Sequence, residues 1–187
     1  MNIIQKVILA LYRRGRAYEH TVYVSKLQKR GLKVGKNLKI LNDVIIDDSH
    51  CWHITIGDDV TLAPRVHILA HDASTKTHTG YTKIGKVVIG DRVFVGASTI
   101  VMPGVTIGDD VIIGAGSIVT KNVPSGVVAA GNPAQIIMTT DEFIEKRKKE
   151  MIEYPTFDES YTLKNKVSKE MREEMNDKMK DNYGFII

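Results

Sequence analysis

Six histidines, a single cysteine and several paired carboxylates are the groups in this 187-residue chain that could do chemistry. His71 is set apart by its surroundings. It lies in ILAHDASTKTHTGYTKIGKVVIGD, residues 68–91, a polar stretch set into an otherwise apolar rhythm. A neutral imidazole, with an unperturbed pKa of about 6.5, can take a proton from a weakly acidic hydroxyl as that oxygen forms a new bond. His78, in the same stretch, is the competing base. His50 and His53 flank Cys51-Trp52, and this cluster reads either as a half-buried turn or as the wall of an acceptor site. Cys51 has no partner for an internal disulfide and reads as a small packing residue. Asp58-Asp59 and Asp109-Asp110 read as solvated turn carboxylates, so no metal is expected.

The elements that must position these groups are set by a period of six. Apolar residues fall at Val34, Ile40 and Ile46, at Ile56, Leu62 and Ile68, and at Ile89, Val95, Val101, Ile107, Ile113 and Val119. Gly or Ala commonly follows, as at Gly57, Ala63, Gly90 and Gly96. A second small or branched residue comes four after the apolar one, as at Val60, Val93, Thr99 and Ser117. An α-helix cannot carry this pattern, because six steps of about 100° leave successive positions 240° apart. The spacing predicts a solenoid in which three six-residue units make one triangular coil. Stacked coils then pair their short strands in parallel around a continuous apolar column. The rhythm slips twice, around His50–His53 and between Ile68 and Ile89, which lie 21 residues apart. Insertions at the corners of a scaffold are where function gathers.

The flanks have a different texture. Ile3, Ile4, Val7, Ile8 and Leu11 trace one helical face, and a second helix is expected over Tyr18–Lys29, ending at Gly31. Gly131-Asn132-Pro133 should end the repeat, Thr140–Ile152 begins with a Thr/Asp cap and reads as a helix, and another helix is expected over Val167–Lys180. The chain is thus expected to comprise a helical segment 1–33, a solenoid 34–137 with a protruding loop 70–88, and a helical tail 138–187. Residues 1–36 hold nine Lys/Arg against one acid. No nucleic-acid motif accompanies them, so nucleic acid is not an expected partner. A phosphate-bearing ligand, or peripheral contact with an anionic membrane through this basic segment, suits them better, and a solvated helix face suits them best. The short apolar run Val7–Tyr12 is no membrane span and carries no cleavage site, and with the lone cysteine this leads to the expectation of a cytoplasmic protein.

The segment VVIGDRVFVGASTIVMPGVTIGDDVIIGAGSIVTKNVPSGVVAAGNPAQII, residues 87–137, resembles the hexapeptide-repeat acyltransferases, in their galactoside, maltose and polysaccharide O-acetyltransferase branch. The resemblance covers about Val34–Ile137. It implies a mainly β fold, a left-handed parallel β-helix with N-terminal and C-terminal helices. It also implies a homotrimer that binds acetyl-CoA in clefts between subunits and needs no metal. His71 matches the family's catalytic base at the root of its protruding loop, and Ala97 matches a position whose N–H faces the developing oxyanion. Phe94, Ala115, Thr120 and Lys121 match coenzyme-contacting positions, while Asn42, Asp48 and His78 fall near the stretches that meet the acceptor. Where relatives carry arginines after the GNP turn, this chain has Gln135 and Met138, so Lys146, Arg147 or Lys148 would have to serve the phosphates.

The implied activity is acetyl-CoA-dependent O-acetylation of a sugar hydroxyl, on a surface polysaccharide or its precursor, by direct attack without an acyl-enzyme. Alternatives are N-acetylation of an amino sugar or acetylation of an antibiotic. Further from the pattern stand a metal-dependent trimer like the carbonic anhydrases that share this solenoid, and a catalytically silent scaffold.

Overall fold

Each six-residue unit forms a two- or three-residue strand and a corner, and the chain visits three sheets in strict rotation. The first coil comprises β1 (Lys33–Val34), β2 (Lys39–Ile40) and β3 (Ile45–Ile46), and the second β4 (Ile54–Ile56), β5 (Thr61–Leu62) and β6 (His67–Ile68). Then comes an excursion with β7 (His71–Asp72), a short helix α2 (Lys76–Thr79) and β8 (Lys83–Ile84). The third coil is β9 (Val87–Ile89), β10 (Phe94–Val95) and β11 (Ile100–Val101), and the fourth is β12 (Thr106–Ile107), β13 (Ile112–Ile113) and β14 (Ile118–Val119). One face orders β1-β4-β9-β12, the next β2-β5-β10-β13 and the third β3-β6-β11-β14, all pairs parallel. This computed structural model describes His20, residues 22–180 and residues 182–187. The helix expected over Ile3–Leu11, and the basic residues beside it, lie outside the described residues.

The apolar column is the one the period predicts. Ile56, Ile89 and Ile107 stack on the first face, Leu62, Val95 and Ile113 on the second, and Ile46, Ile68, Val101 and Val119 on the third, all buried. The residues four further on, Val60, Val66, Val93, Val105 and Val111, fill the corners of the triangle. Turning a corner takes a backbone in the left-handed region three residues after the inward side chain. Asn37, Asp43, Asp59, Arg65, Arg92, Ser98, Gly104, Asp110 and Gly116 all have positive φ there. The bend also brings successive coils close together. A Cβ added at Gly96 would stand 2.5 Å from the Ala115 nitrogen, which explains the small residue after the apolar one.

One aspartate of each carboxylate pair, together with Asp91, holds the coils in register. The Oδ1 atoms of Asp58, Asp91 and Asp109 accept from the backbone N–H of Lys36, Asp58 and Asp91 in the preceding coil, at 2.6, 2.7 and 2.8 Å. Ser125 Oγ ends the series by accepting from Asp109 N at 2.9 Å.

Both open ends of the column are covered. At the start, a helix α1 over residues 22–29 buries Leu27 against the first coil. The Tyr23 hydroxyl donates to the Ile46 carbonyl at 3.0 Å and accepts from the Ile46 N–H at 2.9 Å, satisfying an otherwise open edge. At the other end the repeat gives way at Gly131-Asn132-Pro133 as expected, but the chain then extends again. β15 (Val127–Gly131) pairs in parallel with β13, and β16 (Ala134–Thr139) turns back antiparallel onto β15, covering an edge that the column would leave unpaired.

The chain divides after Thr140 into two compact units. The second holds α3 (Thr140–Glu153) from its second residue onward, α4 (Lys169–Met179) and a small parallel pair, β17 (Thr156–Phe157) with β18 (Phe185–Ile186). Ser168 caps α4 by accepting from Met171 N at 3.2 Å. No helix among the described residues is long and apolar enough to cross a membrane.

Candidate active site

Both slips in the rhythm leave the column at the corner that follows the third face. The first occupies residues 47–53 after β3, and the second residues 69–86 after β6. Ile46 and Ile68 pair across adjacent coils, so the residues that follow them are neighbours. The second excursion is a hairpin. β7 and β8 pair antiparallel, His71 opposite Ile84, and the Gly85 N–H closes the root on the Ala70 carbonyl at 2.9 Å. Its outer end is α2, which terminates at Gly80 with φ 76. His71 is therefore held on the rigid root of the hairpin, whereas His78 is exposed on α2.

Asp47 meets His71 at this corner. Its Oδ2 lies 2.5 Å from His71 Nδ1, and its side chain is only 1% exposed. The same oxygen accepts from the Ala70 N–H at 2.9 Å, and Oδ1 accepts from Ser49 N, Ser49 Oγ and His50 N at 3.1, 2.8 and 3.1 Å. Burial pushes this carboxyl towards its neutral form, but hydrogen bonds from His71, Ser49 and Ala70 outweigh it and lower its pKa to about 2. Asp47 is therefore ionised at neutral pH and fixed by its donors. A carboxylate on Nδ1 selects the tautomer in which Nδ1 carries the proton and Nε2 is the free base. The His71 side chain itself remains partly exposed.

His50 lies against the pair. Its Nδ1 is 2.9 Å from Ser49 Oγ, and its ring centroid is 4.9 Å from that of His71. Asp47, His50 and His71 together offer three ligand atoms within 4.8 Å of one another. Two atoms on one zinc at about 2.0–2.2 Å stand roughly 3.3 Å apart in tetrahedral geometry, so the 2.5 Å separation of Asp47 and His71 is that of a hydrogen bond.

The other residues singled out in the sequence fall elsewhere. Phe94 points outward from β10 and is half exposed. Ala97 and Ala115 occupy equivalent bends of the third and fourth coils, at the corner entering the third face, and the Ala97 carbonyl accepts from the Gly116 N–H at 2.8 Å. Thr120 and Lys121 are exposed at the corner leaving that face, two coils beyond His71. The exposed Asp48 pairs with Arg30 at 3.6 Å, and Asn42 lies exposed at the entering corner of the first coil. The chain thus brings together His71 and a carboxylate that sequence reasoning did not single out, one residue before Asp48. The signal for it is the column itself: Ile46 and Ile68 share a face, so Asp47 must sit beside the start of the hairpin.

Residues 86–121 match the family described as bacterial transferase hexapeptide (six repeats). Among solved structures, the chain is similar to a maltose O-acetyltransferase from Clostridium difficile 630. Identity is 42%, the TM-score is 0.52, and the match covers 58% of this chain and 59% of that one. It is also similar to the hexapeptide-repeat acetyltransferase VCA0836 of Vibrio cholerae, solved with acetyl coenzyme A. There the identity is 28%, the TM-score 0.53 and the coverage 59% and 61%. The chain thus spans about three fifths of each solved relative. Over 148 residues it is 36% identical to the Staphylococcus aureus protein CapG, covering 76% of this chain and 83% of that protein. The chain belongs to the hexapeptide-repeat acyltransferase family.

Proposed function

We propose that this chain is an acetyl-CoA-dependent O-acetyltransferase that acylates a sugar hydroxyl of a surface polysaccharide or its precursor. The Asp47–His71 pair at the hairpin root is the observation that carries this reading. His71 Nε2 takes the proton of the acceptor hydroxyl as its oxygen attacks the thioester carbonyl of acetyl-CoA. Asp47 accepts from Nδ1–H throughout and stabilises the imidazolium that forms. The N–H at the Ala97 bend donates to the oxyanion of the tetrahedral intermediate. Collapse re-forms the carbonyl, expels the coenzyme thiolate and returns the proton from Nε2 to sulfur, leaving an O-acetyl sugar and coenzyme A. No acyl-enzyme is needed.

Phe94, Ala115 and Thr120 would line the pantetheine path and Lys121 would meet a phosphate. Ala97 and Ala115 lie at the corner entering the third face and His71 at the corner leaving it. One chain therefore holds the base and the oxyanion donor at opposite margins of a face, and a second copy is needed to close the cleft. This supports a homotrimer with shared sites, its coils wound left-handed as in the family. Asn42, Asp48 and His78 are assigned to the acceptor side. The setting we infer is the cytoplasm, with the basic N-terminal segment against an anionic membrane that presents a lipid-linked glycan, and with no nucleic-acid partner.

The test is release of coenzyme A thiol from acetyl-CoA across a panel of saccharide, amino-sugar and antibiotic acceptors, with and without a chelator. Turnover is expected with saccharide hydroxyls and is expected to survive the chelator. His71→Ala should lower it by about 10²–10⁴-fold. Turnover restricted to amine acceptors, or unchanged in the variant, would refute the proposal.

A further inference from the structure

The first slip is longer than any corner needs, and its extra residues build a surface feature. Cys51–His53 form a single 3₁₀ turn, and it is anchored from beneath. Cys51 is fully buried, with Sγ 3.6 Å from the Leu27 carbonyl and 3.7 Å from that of Arg30, both at the end of α1. Gly31, with φ +106, lies so close that an added Cβ would stand 2.7 Å from Trp52 Cβ. The backbone under Trp52 is thus tightly held, yet the indole is 49% exposed and makes no part of the core. Trp52 is not a scattered apolar side chain, because the His50 and His53 rings stand beside it and extend the open ring surface.

Its neighbours indicate what that surface is for. The Trp52 ring lies 5.3 Å from His50 and 5.7 Å from His53, and His50 lies 4.9 Å from His71. A line of rings therefore leads from the indole to the base. We propose that Trp52 and His50 form the acceptor platform: a neutral pyranose lays its C–H face on the indole, and the His50 and His53 imidazoles meet its hydroxyls, which brings one hydroxyl to His71. Charge favours a neutral ring over a nucleotide. The nearby cation, Arg30, is already paired with Asp48 at 3.6 Å, so its guanidinium is engaged rather than free to clamp a phosphate. The site deepens the acetyltransferase reading, on which it rests for the identity of the base.

Trp52 is the only tryptophan in the chain, so its emission reports this surface directly and without turnover. The full chain is titrated with maltose, methyl β-galactoside, N-acetylglucosamine and thymidine monophosphate, while acetyl-CoA affinity is measured separately by calorimetry. The expected result is a saturable change in emission with at least one saccharide and none with the nucleotide. His50→Ala should raise the saccharide midpoint about tenfold and leave acetyl-CoA affinity unchanged. Trp52→Ala should raise the acceptor KM by a similar factor at constant acetyl-CoA KM, with Trp52→Phe recovering most of the loss. Emission unmoved by every saccharide in a protein that still binds acetyl-CoA overturns the platform and leaves the acetyltransferase reading standing. A response to the nucleotide alone overturns the carbohydrate assignment. A saccharide response in a protein that fails to bind acetyl-CoA keeps the platform and removes acyl transfer.

Discussion

Asp58, Asp91 and Asp109 line the corner between the first and second faces, each taking one backbone N–H from the preceding coil while remaining in contact with solvent. Asp47, at the corner after the third face, is buried and gathers backbone donors from Ala70, Ser49 and His50 together with a serine hydroxyl and an imidazole. The side chain is the same and its employment is opposite. Where the rhythm is unbroken, an aspartate is a spacer that holds neighbouring coils in step. Where the rhythm breaks, the chain has slack to fold donors around a carboxylate, and the carboxylate can then hold a histidine. The two places where the repeat is violated share one corner, and the Asp47–His71 pair takes one residue from each.

The sharpest way to break that contrast is Asp47→Asn. Asparagine fits the space but turns an NH₂ towards donors that need an acceptor, and it removes the charge opposite Nδ1. Turnover should fall by about 10²-fold or more, less than for His71→Ala only in so far as the imidazole remains. Stability should fall by roughly 2 kcal/mol at neutral pH, the worth of moving a carboxyl from 3.8 to about 2. The folded carboxyl is the stronger acid, so its contribution is present above the unfolded pKa and is lost as pH falls towards about 2. Urea unfolding of wild type and variant should therefore differ at pH 7 and converge towards pH 2. Parallel curves across that range would show that Asp47 holds no special bond to His71.

The column is legible in the residues because a period of six has few physical solutions, and the inward positions that keep the period follow from it, whereas the buried Ile54 and Val87 beside the two slips do not. His71 was legible because a polar insertion in so strict a pattern marks its own root. Asp47 was not, since the slip at His50–His53 blurs which of Asp47 and Asp48 follows the inward Ile46 closely enough to turn in. That choice is settled by a contact 24 residues away in sequence and one coil away in space. The returning strand Ala134–Thr139 was missed for a related reason: an edge that needs covering is a property of the stack and leaves no period in the residues that cover it.

Tyr23→Phe probes the same corner from beneath. The hydroxyl serves both the N–H and the carbonyl of Ile46, the residue before Asp47. Burial, partly offset by the bond to the Ile46 backbone, raises the Tyr23 pKa, so the group stays neutral and bridging at physiological pH. Its loss leaves two backbone groups short of a partner and should cost about 1–2 kcal/mol, read by thermal or urea unfolding. Turnover should fall as well, by less than in Asp47→Asn, because the carboxylate keeps its own donors. A stable variant with full activity would mean that α1 merely covers the coil and does not position the site.

The smallest effect belongs to the spacer side. At the end of its ladder the chain already uses Ser125, whose hydroxyl accepts from Asp109 N at 2.9 Å in place of a carboxylate. Asp91→Ser should therefore keep the bond to the Asp58 N–H, now 2.7 Å long, or let water replace it, and shift stability by less than about 0.5 kcal/mol. Asp91→Ala, which offers no acceptor, should cost about 1 kcal/mol. Neither should alter turnover, since this corner lies on the far side of the coil from the third face and its two margins. If Asp91→Ala instead lowered turnover as Asp47→Asn does, the coil would be transmitting strain between corners, and the division between spacing and orienting aspartates would not hold.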